Sequence, residues 1–188
     1  MYRSVLKRIL DIVLALLALV LLSPVMLVVA IWIYLEDRGA IFFTQERIGR
    51  GGRTFSFLKF RSMPVNTASV PSAKAKTLPV TGIGKLIRRT NIDELPQLIN
   101  ILKGDMSIVG PRPAIPSQEK LLVLRRKVGA DELAPGLTGL AQVNAYDGMP
   151  ENEKARWDGE YAANMSFFTD VKIVLKTFAY LTKKPPVY

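Results

Sequence analysis

The sequence predicts an α/β chain, mostly helical with one short β-hairpin, held in a membrane by an N-terminal helix that enters and leaves on the same side. Three observations carry this expectation. Ile9 to Leu35 is almost wholly apolar, interrupted only by Asp11 and by Ser23-Pro24. Two strand-like runs, AIFFTQ (Ala40–Gln45) and TFSFLKF (Thr54–Phe60), flank the glycine-rich basic turn ERIGRGGR. Beyond them, apolar residues recur at helical spacing.

The apolar segment is too long for an ordinary core helix and no small-residue cleavage site follows it, so it reads as retained membrane helix. Fully helical, it would be roughly 40 Å long at 1.5 Å per residue. Pro24 removes a backbone hydrogen bond, and the Ser23 hydroxyl can re-satisfy the freed carbonyl. Charge sits on both flanks: Arg3, Lys7 and Arg8 before, Arg38, Arg47, Arg50 and Arg53 after. Positive charge prefers the cytoplasmic side, so a re-entrant helix-break-helix satisfies both flanks and a plain span only one.

Gly49, Gly51 and Gly52 in the hairpin turn read as a tight turn, with a phosphate cradle as the alternative. Met63 to Val80 lacks periodicity and reads as a loop over a site. The next helix is expected to start at a Thr90 or Asn91 cap, with an acid three residues on in either case. Leu95, Leu98, Ile99 and Leu102 would form its apolar face, Pro96 would lie in its first turn, and Gly104 would close it. VGPRPAIP (Val109–Pro116) is a rigid extended turn. EKLLVLRRK (Glu119–Lys127) is an amphipathic helix, and Ala134–Tyr146 is a loop or short strand. Glu151–Lys184 reads as two helices broken near Asn164–Thr169. The second carries Lys172, Lys176, Lys183 and Lys184 with Phe167, Phe168, Phe178 and Tyr180, suited equally to a membrane surface or to core packing.

With 188 residues and a net charge of +10, the chain calls for a polyanionic partner: nucleic acid, an anionic membrane or a phosphorylated substrate. It has no cysteine and no histidine. Disulfides and thiolate metal sites are excluded, and acid–base or nucleophilic work falls to Asp, Glu, Lys, Tyr, Ser or Thr. A metal would sit among oxygen ligands, which favours magnesium. Asp93-Glu94 stands out because it lies in a basic region, with Lys59, Arg61, Arg88, Arg89 and Arg112 as candidate cations. A proline on each side fixes Arg112, whose planar fork suits phosphate oxygens. Asp93 is expected to stay ionised through the helix dipole and the arginines, able to ligate magnesium or attack phosphorus. On spacing alone, helix-dipole and capping acids are the favoured explanation of the pair.

KFRSM, RRTNIDELPQLINILKGDMSIVGPRP and PGLTGLAQVN, behind KRILDIVLA…LSPV, resemble the bacterial sugar transferase family, the small monotopic phosphoglycosyl transferases. The later pattern of Asp158, Tyr161, Ala162, Asn164, Ser166 and Asp170 matches as well, so the resemblance covers nearly the whole chain. It implies transfer of a sugar-1-phosphate from a UDP-sugar to a polyprenyl phosphate, usually undecaprenyl phosphate, with release of UMP, at the start of glycoconjugate assembly. It further implies a covalent phosphosugar intermediate on Asp93, with Glu94 assisting, Mg2+ on Asp93, and Lys59, Arg88 and Arg112 near phosphate; Arg61 belongs to the same expected substrate-binding set. The membrane helix would break at Ser23 and Pro24. The implied division is a membrane helix at 1–37 and a catalytic domain at 38–188 with interface-associated helices, on the cytoplasmic face of a bacterial inner membrane. Downstream glycosyltransferases would be further partners.

The chain departs from the family pattern at Ala145-Tyr146, where members often carry Gly-Arg, and in the Met63–Val80 loop. Two alternatives stand beside this reading. In one, Asp93 only binds magnesium and the lipid phosphate attacks directly. In the other, the chain is a basic membrane-anchored scaffold. No nucleic-acid-binding motif is evident and the aromatics are not interleaved with the basic stretches, so nucleic acid is not an expected partner.

Overall fold

The computed structural model describes residues 2–65, 67, 78–145 and 148–181. A π-helical turn (Tyr2–Leu6) leads into the long helix α1 (Lys7–Asp37). The apolar run makes α1 helical, and its buried positions mark the side on which it packs: Lys7, Asp11 and Ala15 four residues apart, then Val29 and Ile33. Helical backbone continues through Ser23-Pro24, so the expected break is not an unwound segment. The Ser23 hydroxyl donates to the Val20 carbonyl at 2.8 Å. That is the carbonyl Pro24 cannot serve, which lets the helix pass the proline.

Both ends of α1 are tied to the same folded body. At the start, Lys7 Nζ lies 2.6 Å from Asp170. Arg8 donates to the carbonyls of Ile101 and Leu102 at 2.6 and 2.9 Å, and Asp11 accepts the Ile108 N–H at 3.0 Å. At the other end, Glu36 accepts the N–H groups of Gly82 and Ile83 at 2.6 and 2.9 Å, and Asp37 that of Val65 at 2.7 Å. Between these anchors, Val20, Leu21, Val25, Leu27 and Val28 are exposed.

Strands β1 (Phe42–Ile48) and β2 (Thr54–Phe60) form the expected antiparallel hairpin, in register from Phe42 opposite Phe60 to Ile48 opposite Thr54. Strand β2 serves both halves of α1. Phe57 packs with Ala15, Leu98, Ile101 and Met106, and Phe60 with Val29, Ile33, Ile83 and Ile87. The hairpin turn is a tight turn whose amides are committed: Gly49 N–H to Arg53 O at 2.6 Å, Gly51 N–H to Asp131 O at 2.8 Å and Gly52 N–H to Gly49 O at 3.3 Å. The phosphate-cradle alternative is therefore not supported.

Helix α2 (Gly82–Arg89) is capped by the Thr81 side chain and leads to a 3-10 turn (Ile92–Glu94) and then α3 (Gln97–Lys103). Here the expected single helix divides. The Thr90 hydroxyl bonds back to Leu86 and Ile87 carbonyls, closing α2, and Asn91 takes a left-handed conformation with no side-chain cap. Pro96 is the residue before α3 and not inside its first turn, while Gly104 closes α3 at φ 96° as expected. The buried side of α3 is Gln97, Leu98, Asn100 and Ile101.

Strand β3 (Ser107–Val109) pairs in parallel with β4 (Gly136–Thr138). Gly110 follows β3 because a Cβ there would lie 2.3 Å from the Ala134 carbonyl oxygen. Around this pair stand α4 (Glu119–Lys127), α5 (Leu140–Val143), α6 (Glu151–Asn164) and α7 (Phe167–Leu181). Helix α7 packs one side on the core, as one of its two readings expected, and exposes the other. Ile173 is buried beside Val109 and Tyr161, while Phe168, Leu175 and Phe178 are exposed among Lys172 and Lys176. Lys183, Lys184, Tyr146 and most of the expected Met63–Val80 loop lie outside the described residues. Among the described residues the protein is mostly helical, with two small sheets and one long apolar helix, compatible with attachment to one side of a membrane.

Candidate active site

Four segments converge on the acidic pair: β2 with Lys59, the end of α2 with Arg88, the 3-10 turn with Asp93 and Glu94, and the chain after β3 with Arg112. Lys59 Nζ lies 2.6 Å from Glu94 Oε1 and 3.6 Å from Asp93 Oδ2. Arg112 Nη2 donates to the same Glu94 oxygen at 3.2 Å. Arg88 acts on Asp93 through its charge and donates from Nε to the Ser62 hydroxyl at 2.8 Å.

The two carboxylates differ sharply. Burial alone would raise Glu94, but Lys59 and Arg112, by charge and by hydrogen bond, hold it down at about 2. Asp93 is only 7% exposed, and desolvation pushes its pKa up against the pull of Lys59, Arg88 and Arg112. Burial thus shifts Asp93 in the direction opposite to the one the helix dipole and arginines were expected to impose. Asp93 sits on a 3-10 turn ahead of α3, and the close cation contacts go to its neighbour. It is left as a carboxylate short of compensating charge in a basic surrounding, the condition that favours an incoming cation or electrophile.

Arg61 is not brought to this pair by any described contact. It is 9% exposed, and its guanidinium donates to the Asp37 carbonyl at 2.9 Å and lies 3.7 Å from the Asp37 carboxylate. Its described contacts brace the end of α1 against the strand that carries Lys59. Ser23 and Pro24 lie within α1 and not at this site.

Several supporting residues escaped the sequence reading. Asn100 donates to the Ser56 carbonyl at 2.8 Å and accepts the Leu58 N–H at 3.1 Å, which fixes β2, and so Lys59, against α3. Gln97, one turn after Asp93, is buried with its Nε2 unpartnered among the described residues. Arg125 donates to the Arg112 carbonyl at 2.9 Å and pairs with Asp158 at 2.8 Å, holding the Pro-Arg-Pro turn from behind. A signal for the first two was present: Gln97 and Asn100 share a helix face with apolar residues, and polar groups on such a face are buried with partners or with a task.

Among the described residues no group of three or more metal-ligating side chains occurs. With Glu94 committed to Lys59 and Arg112, Asp93 is the carboxylate left to hold a cation. That donor set fits magnesium, which binds through one or two carboxylates together with substrate phosphates and waters.

Known proteins resemble this chain over most of its length. The family model described as bacterial sugar transferase matches residues 2–184. The chain is 41% identical over 186 residues to the UDP-glucose:undecaprenyl-phosphate glucose-1-phosphate transferase of Escherichia coli K12, covering 92% of this chain and 39% of the relative. It is 41% identical to the UDP-N-acetylgalactosamine-undecaprenyl-phosphate N-acetylgalactosaminephosphotransferase of Aeromonas hydrophila, covering 91% of this chain and 42% of that protein. It is 37% identical to the exopolysaccharide production protein ExoY of Sinorhizobium fredii, covering 91% of this chain and 83% of that protein. The chain thus spans less than half the length of the first two of these relatives.

Proposed function

The chain belongs to the bacterial sugar transferase family, and on that premise we propose that it transfers a sugar-1-phosphate from a UDP-sugar to a polyprenyl phosphate through a covalent intermediate on Asp93. The observation that carries this reading is the division of labour in the acidic pair. Glu94 is neutralised by Lys59 and Arg112, whereas Asp93 retains a carboxylate short of partners within reach of the same cations. An Asp93 oxygen attacks the phosphorus that bears the sugar. The bond to UMP breaks, and UMP leaves with the electron pair. The polyprenyl phosphate then attacks the same phosphorus and returns the carboxylate. Lys59, Arg88 and Arg112 orient and neutralise the phosphates in each half, so the two polyanionic substrates are handled in turn. Magnesium, when bound, supplies further positive charge to the transferring phosphate, and Asp93 together with substrate oxygens would hold it.

We further propose that α1 enters and leaves the cytoplasmic leaflet of a bacterial inner membrane from the same side. Thirty-one residues make α1 about 46 Å long, enough to cross a bilayer. Yet the ties at Lys7, Arg8 and Asp11 and at Glu36 and Asp37 attach both ends to one body, which supports a helix that dips into the bilayer between its anchors. The exposed aromatic side of α7, joined to the start of the chain by the edge contact of Tyr2 and Phe167 at 6.3 Å, supports an interfacial position for that helix.

Two measurements test these readings. Incubation with a short polyprenyl phosphate, magnesium and UDP-glucose, UDP-galactose or UDP-N-acetylgalactosamine should release UMP with one donor preferred; no release from any UDP-sugar would refute the transferase assignment. Because the chain has no cysteine, Val5→Cys and Arg38→Cys should both react with a membrane-impermeant maleimide from the same side of sealed vesicles. Labelling from opposite sides would show a plain span.

A further inference from the structure

The site contains a cation that the acidic pair does not account for. Arg47 lies one residue before the end of β1, opposite Phe55. The next residue fixes the strand to the chain just beyond Arg112, with Ile48 N–H donating to the Ala114 carbonyl at 2.8 Å. This brings the Arg47 guanidinium to the Pro-Arg-Pro turn. Nη1 donates to the Pro113 carbonyl at 3.1 Å and Nη2 to Gln45 Oε1 at 2.6 Å. Cζ stands 5.1 Å from the centroid of the Phe57 ring, over which Lys59 Nζ also stands at 5.5 Å.

Every one of these partners is neutral. Lys59 and Arg112 share Glu94, and Lys59 is also the cation nearest Asp93. Among the described residues Arg47 has no ion pair, and its Nε is buried without a hydrogen-bond partner. Burial and the like charge of Arg112 outweigh the pull of Glu94 and lower its pKa to about 10. A half-buried guanidinium held beside another cation, with its buried Nε–H unmade, is unfavourable until an anion arrives.

We propose that Arg47 is a phosphate-binding residue of this site, supplying the positive charge that Glu94 does not cancel and gripping the diphosphate of the donor alongside Arg112. This deepens the transferase reading and rests on it for the identity of the ligand. The planar fork suits the task, because it can keep its bonds to Pro113 and Gln45 while its remaining N–H donors meet phosphate oxygens. The rival explanation is a strut, with Arg47 serving only to tie the hairpin to the Pro113 carbonyl.

Inorganic pyrophosphate with magnesium is a probe that requires no turnover. Its binding to the full chain in detergent micelles should weaken at least about tenfold in Arg47→Gln, with the melting temperature of the unliganded protein unchanged. Arg47→Lys, which keeps the charge and loses the fork, should bind at an intermediate level. If Arg47→Gln melts early, the lysine variant decides: binding better than glutamine supports the charge role, and binding as weak as glutamine overturns it in favour of the strut. Equal binding by wild type and Arg47→Gln, or no binding by wild type, also overturns it. The transferase reading is judged separately by UMP release: release with an unaltered KM for donor in Arg47→Gln sinks the Arg47 assignment and leaves that reading standing.

Discussion

Asp93→Asn is expected to lower UMP release by at least about a thousandfold and to abolish incorporation of labelled sugar-phosphate into the protein. The amide keeps the size of the carboxylate and removes the nucleophilic oxygen. Stability should move the other way. Asp93 is an acid whose pKa is raised by burial, so its ionised form is disfavoured in the folded state, and replacing it with a neutral isostere removes that burden. The variant should therefore melt at or above the wild-type temperature while inactive. Wild-type protein incubated with labelled UDP-sugar and no acceptor should carry the label, and later addition of polyprenyl phosphate should discharge it. Full activity without any labelled protein would instead favour direct attack by the lipid phosphate, with Asp93 as magnesium ligand.

Arg125→Met is expected to destabilise the protein by about 3–5 kcal/mol, measured by thermal or urea unfolding in detergent. Arg125 is 7% exposed and its partner Asp158 1% exposed, with 2.8 Å between them. Deleting the guanidinium leaves a buried carboxylate without its counter-charge. Adding Asp158→Leu removes that carboxylate and should restore most of the stability, because two apolar groups can replace a buried ion pair with little loss. Activity should remain low in the double variant. The Arg112 carbonyl loses the donor that held it at 2.9 Å, so the Pro-Arg-Pro turn is no longer fixed from behind, and with Arg112 in its proposed phosphate-binding role KM for donor should rise. Recovery of both stability and KM would show that the pair only packs α4 against α6.

Much of this was legible in the chain itself. The apolar run from Ile9 to Leu35, the hairpin, α4 and the two C-terminal helices follow from periodicity and turn chemistry, which act within a few residues. Pro24 and its Ser23 remedy could be read in advance because a proline removes a specific hydrogen bond to a specific carbonyl. The Asp93-Glu94 pair drew attention because acids are conspicuous in a basic region with no histidine or cysteine to share the work. The helix beginning there was misjudged. Residues that can cap a helix stand at Thr90 and Asn91, but the chain spends Thr90 on closing α2 and turns left-handed at Asn91.

What the sequence determined by itself was the local vocabulary: which stretches are helical or extended, which segment prefers lipid, and which carboxylates and cations are available for phosphate chemistry. The tertiary structure alone decided how charge is shared among them. Glu94 takes Lys59 and Arg112, Asp93 is left under-compensated, Arg61 pairs with Asp37, and Arg47 comes in from the hairpin with no carboxylate partner among the described residues. Spacing along a chain cannot reveal this, because burial and ion pairing depend on groups dozens of residues apart, and desolvation acts only once the fold has removed the water.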